Sequence, residues 1–179
     1  MDYYTYLRNM EFLNQMQNNF NDIRIDSEPW PLTFQSKSSQ FLLSKAIEKV
    51  KSYILDENED EAFYDKLITL APNEEQKKII ADIRDDEKIH AKIFRKIFTE
   101  LTGVILPTTP SNMKHMENTN ITYMDGLKKA FFGELDAVKK YRETMAYMPN
   151  KQLYDMFMYV ITDEMRHADK YNYLITLNK

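Results

Sequence analysis

The feature that most constrains this chain is an internal repeat with one fixed spacing. Residue 57 matches residue 134, a difference of 77 positions, and four other signatures recur at the same spacing without a gap. The matched pairs are Glu57 and Glu134, Tyr64 and Tyr141, Pro72-Asn73 and Pro149-Asn150, Asp86-Glu87 and Asp163-Glu164, and His90-Ala91 and His167-Ala168. A repeat of this kind indicates one structural unit that occurs twice.

Each copy of the repeat is predicted to form two helices that meet at its Pro-Asn break. Before the first break, apolar residues recur every three or four positions, as on one face of a helix that begins at Ser38 or Ser39. After the break the same period continues to Gly103, a residue type common at helix ends. The second copy begins near Thr122, which can form a capping box with Asp125, and its second helix runs to the C-terminus.

The lengths of the connections predict how these helices are arranged. The Pro-Asn breaks are short, so the two helices of each copy form an antiparallel hairpin. The connection from Thr102 to Ile121 has 20 residues. It can reach about 65 Å, whereas a helix of about 28 residues is about 42 Å long. We therefore predict an all-α fold, in which residues 38–179 form a four-helix bundle of two hairpins with one long crossover. Residues 1–37, with helical apolar spacing, form an N-terminal helical extension.

Composition limits the chemistry that these helices can carry. The chain has no Cys, which excludes disulfides, thiol catalysis, thiolate-bound zinc and iron–sulfur clusters. A metal must therefore be held by Asp, Glu and His, and of the three His residues His115 is expected in a solvated loop. The net charge of −4 argues against nucleic-acid partners and anionic membranes. With neither a signal peptide nor a long apolar run, we expect a cytoplasmic protein.

Acidic and imidazole side chains occupy positions where the helical pattern requires apolar residues. Each second helix contributes a Glu and a His three residues apart, hence on one face, and each first helix contributes a Glu at the centre of its stripe. The candidate ligands are Glu57, Glu87, His90, Glu134, Glu164 and His167. Buried carboxylates repel one another and lose hydration. Two divalent cations would balance the charge of the four carboxylates.

This ligand pattern resembles that of the ferritin-like di-iron carboxylate proteins, in which a Glu on one helix and Glu-x-x-His on the next occur twice. The Ala after each His, and Gly133-Glu134 followed by Tyr141, are most similar to rubrerythrin. The resemblance covers residues 38–178. It implies a ferritin-like bundle that holds two iron ions. In that family the di-iron site reduces peroxide, or oxidises ferrous iron with oxygen or peroxide.

The resemblance also implies a role for each candidate ligand. It makes Glu57 and Glu134, on the first helices, mainly terminal ligands. It makes Glu87 and Glu164, on the second helices, bridging ligands. His90 and His167 would each bind one of the two metals. It further implies that Asp86 and Asp163 can reach a ligand His of the neighbouring hairpin.

Two differences from rubrerythrin bear on the reaction. Rubrerythrins carry a further Glu three residues after the equivalent of Glu134, where this chain has Ala137. An acidic residue, Asp60, does follow Glu57 by three positions in the other hairpin, and we expect it at the surface. The chain also has no rubredoxin-like domain with its four-cysteine iron. Reduction of an oxidant would therefore need an external electron donor.

Three further residues lie close to the candidate ligands along their helices. Tyr64 and Tyr141 lie two turns from the glutamates of their helices. They are either core aromatics or groups that hydrogen-bond ligand carboxylates or act in redox chemistry. Glu61 lies one turn from Glu57 on the inner stripe. It is a seventh ligand, a group that supports the ligands, or the partner of a Lys at the rim.

The leading functional hypothesis is a non-haem di-iron oxidoreductase that reduces hydrogen peroxide or dioxygen and protects against oxidative stress. The alternatives are a ferritin-like ferroxidase that stores iron, a dimanganese catalase, and a non-enzymatic metal-binding scaffold. Ligand types alone do not separate Fe from Mn or Zn. We expect the chain to form a homo-oligomer, a dimer, with no nucleic-acid or membrane partner.

Overall fold

The computed structural model describes residues 37–106 and 120–179, which form four α-helices and no strand. Helix α1 spans Lys37–Leu70, α2 spans Glu74–Thr102, α3 spans Tyr123–Met145 and α4 spans Lys151–Leu177. The all-helical prediction is confirmed for these residues, and their arrangement is compatible with a four-helix bundle. The predicted N-terminal extension, up to residue 36, and the linker segment with His115 lie outside the described residues.

The repeated Pro-Asn break has a local structural reason. In both copies the Asn is the N-cap of the second helix. The Asn73 side chain accepts a hydrogen bond from the Gln76 N–H at 3.0 Å, and Asn150 accepts one from the Leu153 N–H at 2.9 Å. Each bond satisfies an amide that the first helical turn would otherwise leave unpaired. The Asn of each break therefore starts the helix that follows, α2 or α4.

The other helix ends follow their predicted signals with two differences. Ser38 and Ser39, the predicted start of α1, lie within the helix, which already includes Lys37. Gly103 ends α2 with φ of 69°, a left-handed conformation that favours glycine. Thr122 caps α3 by accepting from the Asp125 N–H at 3.1 Å, and its hydroxyl donates to the Asp125 carboxylate at 2.7 Å. The apolar stripe predicts α3 as far as Met148, but the helix ends at Met145. A tight turn replaces its last residues because the Met148 N–H bonds to the Met145 carbonyl at 3.0 Å.

Two apolar clusters form the core, one towards each end of the helices. The first core cluster contains Val50, Phe94, Tyr141 and Phe157, together with their neighbours on all four helices. The second core cluster contains Leu67, Ile83, Leu127 and Leu174. Along the chain, α1 and α4 pass from the first cluster to the second, whereas α2 and α3 pass from the second to the first. Each hairpin is therefore antiparallel.

The two clusters also give the relative directions of helices from different hairpins. Helices α2 and α3 run in the same direction, so the end of α2 and the start of α3 lie at opposite ends of the helices. In addition to the contacts within each hairpin, α1 packs against α3 and α2 packs against α4. Within the described ranges, no helix combines the length and the apolar character needed to cross a membrane.

Candidate metal centre

All six predicted ligands meet between the two core clusters. Their side chains are buried, with no residue more than 3% exposed. Helices α1 and α3 each contribute one Glu, and α2 and α4 each contribute a Glu and a His one turn later. In chain order these are Glu57, Glu87, His90, Glu134, Glu164 and His167. The structure therefore brings together residues that lie up to 110 positions apart, from 57 to 167.

These side chains form two overlapping groups that could each hold a metal ion. Within each group the potential ligand atoms lie within 4.8 Å of one another. One group consists of Glu57, Glu87, His90 and Glu164, and the other consists of Glu87, Glu134, Glu164 and His167. Glu87 and Glu164 belong to both groups. The geometry thus offers two adjacent cation positions that share two carboxylates.

The oxygen atoms of the shared carboxylates divide between the two imidazoles. Glu87 places Oε2 at 2.9 Å from His90 Nδ1 and Oε1 at 3.1 Å from His167 Nδ1. Glu164 places Oε1 at 3.0 Å from His90 Nδ1 and Oε2 at 3.4 Å from His167 Nδ1. Each carboxylate therefore has one oxygen for each cation position, as a bridging ligand requires.

The glutamates of α1 and α3 are each associated with only one imidazole. Glu57 Oε2 lies 3.9 Å from His90 Nδ1, and Glu134 Oε2 lies 3.7 Å from His167 Nδ1. Their other oxygens accept hydrogen bonds from tyrosines of the opposite hairpin. Tyr64 donates to Glu134 Oε1 at 2.6 Å, and Tyr141 donates to Glu57 Oε1. These bonds leave one free oxygen of each carboxylate directed at its cation position.

An aspartate contacts the Nε2 atom of each imidazole, on the opposite side of the ring from the Nδ1 atom that faces the glutamates. His90 Nε2 lies 3.3 Å from Asp163 Oδ2, and His167 Nε2 lies 3.1 Å from Asp86 Oδ2. An Nε2–H that donates to a carboxylate leaves Nδ1 unprotonated as a ligand and raises its basicity. Arg166 contacts both aspartates, at 2.8 Å from Asp163 and 3.0 Å from Asp86. As with the tyrosines, each Asp–His contact joins the two hairpins.

Several buried polar atoms of this cluster make no hydrogen bond. These atoms are Glu87 Oε1, Glu164 Oε1 and His167 Nδ1. Buried polar groups almost always have partners, and an orphaned one costs about 1–3 kcal/mol. Glu164 Oε1 faces His90, whereas Glu87 Oε1 and His167 Nδ1 face each other at the second position. All three atoms are of types that divalent cations accept as ligands. The donor set therefore fits a metal ion.

Burial and mutual repulsion of the carboxylates shift the pKa values of the cluster. Burial, with the charges of Glu164 and Glu87, raises the pKa of Glu57 well above its usual value. The pKa of Glu134 is raised by the same causes. Burial alone would lower the pKa of His90, but Glu164 and Glu87 outweigh burial and raise it. The cluster therefore retains protons, and a divalent cation would displace them on binding.

Two further acidic residues of α1 lie near the centre but outside both ligand groups. Glu61 belongs to neither group. It is half-buried, and its Oε1 lies 3.6 Å from Lys88 Nζ, so that of the three alternatives the pairing with a Lys is the one observed. Asp60 is half-buried rather than on the surface. Burial, together with the charges of Glu87 and Glu164, raises the pKa of Asp60 to about 7.

Arg166 is the member of this arrangement that the sequence analysis did not identify. The signal was its position three residues after Asp163 on α4, a spacing that places both side chains on one face. Comparison of the sequence with models of known protein families and with curated proteins found no match.

Proposed function

We propose that this chain is a di-iron carboxylate protein that reduces hydrogen peroxide or dioxygen. The observation that carries the proposal is that two groups of ligands share Glu87 and Glu164 while each has its own His and its own terminal Glu. A single cation site would not need this duplication. Two ions held by common carboxylates can exchange two electrons with one bound substrate, which is what peroxide reduction requires.

Charge balance supports two divalent ions. Four buried carboxylates carry −4 when ionised, and two imidazoles that are neutral as ligands add nothing. Two divalent cations restore neutrality, and without them the burial of these carboxylates would be strongly unfavourable. Oxygen and nitrogen ligands of this kind suit iron and manganese.

The tyrosines and aspartates give the site fixed geometry during a change of metal charge. Tyr64 and Tyr141 hold one oxygen of each terminal carboxylate, and the aspartates hold both imidazoles. Because the bonds come from the opposite hairpin, movement of either hairpin would disturb both cation positions. When bound, the iron ions supply the electrons. With no Cys in the chain, an external donor must restore them.

The directions of the helices support a ferritin-like arrangement of the bundle. Helices α2 and α3 run in the same direction. The end of α2 and the start of α3 therefore lie at opposite ends of the bundle, which is what two antiparallel hairpins joined by one long crossover require. This connection is a feature of ferritin-like folds.

The direct test is anaerobic reconstitution with ferrous iron, followed by addition of hydrogen peroxide. We expect about two iron ions per chain by mass spectrometry and consumption of one peroxide for every two ferrous ions oxidised. A parallel sample with Mn²⁺ tests the catalase alternative, for which oxygen would be released without a donor. Size-exclusion chromatography separates a small oligomer from a storage shell. Failure to bind near two metals per chain would refute the proposal.

The ligand set is tested by metal content in four variants. We expect His90→Ala and His167→Ala each to lose about one metal per chain, because each His belongs to one group only. Glu87→Ala and Glu164→Ala should lose both metals, because both groups share these residues. Glu61→Ala is the matched control, since it removes an acidic residue of the same region that pairs with a Lys. Unchanged stoichiometry in all four variants would contradict the assignment.

A further inference from the structure

The two halves of the candidate centre match under the internal repeat, but charged residues beside it do not, among them Asp60, Glu61 and Arg166. The ligands, tyrosines and aspartates all have counterparts 77 residues away. Asp60 does not, because its counterpart is Ala137. Asp60 is also unlike the six ligands in exposure: each ligand is at most 3% exposed, whereas Asp60 is half-buried. It therefore touches solvent while the charges of Glu87 and Glu164 act on it.

The register of α1 against α3 places this carboxylate opposite its own counterpart. Tyr141 of α3 bonds to Glu57 of α1, and the helices are antiparallel. A step of three residues along α1 from Glu57 leads to Asp60, and a step of four residues back along α3 from Tyr141 leads to Ala137. The middle of the α1–α3 interface thus has a carboxylate on one helix and only a methyl group on the other.

Open space borders the side of α3 that faces α1 at this level. Near the start of α3, a Cβ on Gly126 would lie 2.3 Å from Leu67 Cδ2, so the helices are in close contact there. Two turns later, on the same side of α3, a Cβ on Gly133 would meet no atom within 4 Å. Gly133 lies one turn before Ala137. Gly133 is exposed, so the space beside it is open to solvent, and Ala137 adds only a methyl group one turn later.

The opposite side of the centre is closed. Between α2 and α4, Arg166 contacts both Asp86 and Asp163, and these aspartates cover the outer edges of the two imidazoles. A cation approaching from that side would meet a guanidinium. Between α1 and α3 it would meet the carboxylate of Asp60, which has no hydrogen bond or ion pair with the side chains described in residues 41–106 and 120–179. The charge of the exposed Lys140 also acts on Asp60 from α3.

We propose that Asp60 is the carboxylate through which divalent cations pass from solvent into the buried centre, between α1 and α3. A hydrated ion must exchange its water for protein ligands, and a half-buried carboxylate one turn from Glu57 allows this exchange in two stages. The proposal rests on the proposed metal centre. It goes beyond that centre by assigning the route of metal uptake to a residue outside both ligand groups.

The test measures the rate of metal uptake separately from its extent. Co²⁺ is mixed with metal-free protein in a stopped-flow spectrometer, and its visible absorption reports binding. We expect Asp60→Asn to slow association at least about tenfold, within the range that electrostatic guidance of ligands produces. The final number of Co²⁺ ions per chain should equal that of the wild type, because the ligands are intact.

Two further variants separate a route from a general charge effect. Glu59→Gln removes the same charge from the neighbouring, exposed position, and we expect it to leave the rate almost unchanged. Asp60→Asn combined with Ala137→Asp moves the carboxylate to the counterpart position on α3, and we expect it to recover most of the lost rate. A wild-type rate in Asp60→Asn, equal slowing by Glu59→Gln, or no recovery in the double variant would overturn the proposal. Absence of Co²⁺ uptake by the wild type would overturn the metal centre itself.

Discussion

Replacement of Asp163 by Asn should weaken one of the two metal positions and spare the other. The carboxylate of Asp163 is 5% exposed and lies 3.3 Å from His90 Nε2. Asn has the same shape and retains a neutral acceptor, so only the charge is lost, from the hydrogen bond to His90 and from the ion pair with Arg166. The effect should therefore be confined to the metal that His90 would bind, because His167 is held by Asp86.

The expected magnitude follows from the type of hydrogen bond. Bonds to charged groups contribute about 1.5–3 kcal/mol and neutral bonds about 0.5–1.5 kcal/mol, so the difference is about 1–1.5 kcal/mol. That difference corresponds to about a fivefold to twelvefold loss of affinity. Removal of a group that orients a metal ligand lowers metal affinity about 10–100-fold. We therefore expect a loss of about tenfold, where the two ranges overlap.

The assay is competition for Co²⁺ with a chelator of known affinity, in chains that retain one metal position. In the His167→Ala background, where only the position of His90 remains, Asp163→Asn should weaken binding about tenfold. In the His90→Ala background it should have little effect. Asp86→Asn should show the opposite pattern. Arg166→Gln is the control for the ion pair, since Arg166 contacts both aspartates and should affect both positions alike. Equal losses from Asp163→Asn in both backgrounds, or no loss in either, would refute the reasoning.

Three further predictions concern stability. Tyr64→Phe leaves a buried oxygen of Glu134 without its donor, and we expect the metal-loaded chain to lose about 1.5–3 kcal/mol in denaturant unfolding. The pKa values of four candidate ligands are raised in the folded chain, namely Glu57, His90, Glu134 and His167. The native metal-free chain therefore binds more protons than the unfolded chain. Its thermal stability should therefore fall as pH rises above about 5, the opposite of the metal-loaded chain, whose ligands must be deprotonated. Gly126→Ala should destabilise by about 1–3 kcal/mol through overpacking. Gly133→Ala, with open space around it, should stabilise by about 0.5–1 kcal/mol in the same denaturant assay.

The choice between Glu61 and Asp60 shows where sequence reasoning reached its limit. Both residues are about one turn from Glu57, and helical spacing alone favours Glu61 as an inner residue. In the structure, Glu61 instead pairs with Lys88. The charges of Glu87 and Glu164, the shared carboxylates, act on Asp60 and contribute to its raised pKa. The rotation of α1 about its axis decides between them, and that rotation depends on packing against both α2 and α3.

The partners of the ligands show the same dependence. Tyr141 lies on α3 with Glu134, but it bonds to Glu57 of α1, while Tyr64 of α1 bonds to Glu134. Sequence spacing could propose these tyrosines as partners of carboxylates. It could not assign which carboxylate each one contacts, because the contact crosses between hairpins that are distant in the chain.

The amino-acid sequence by itself determined the four helices, their caps and the six residues that converge, because helical period, capping and a repeated spacing act over short stretches of chain. Only the tertiary structure decided which oxygen faces which imidazole, that aspartates of one hairpin hold histidines of the other, and that the α1–α3 side is open while Arg166 covers the α2–α4 side. Those features depend on the axial rotation and register of packed helices, which are set by contacts among all four helices at once.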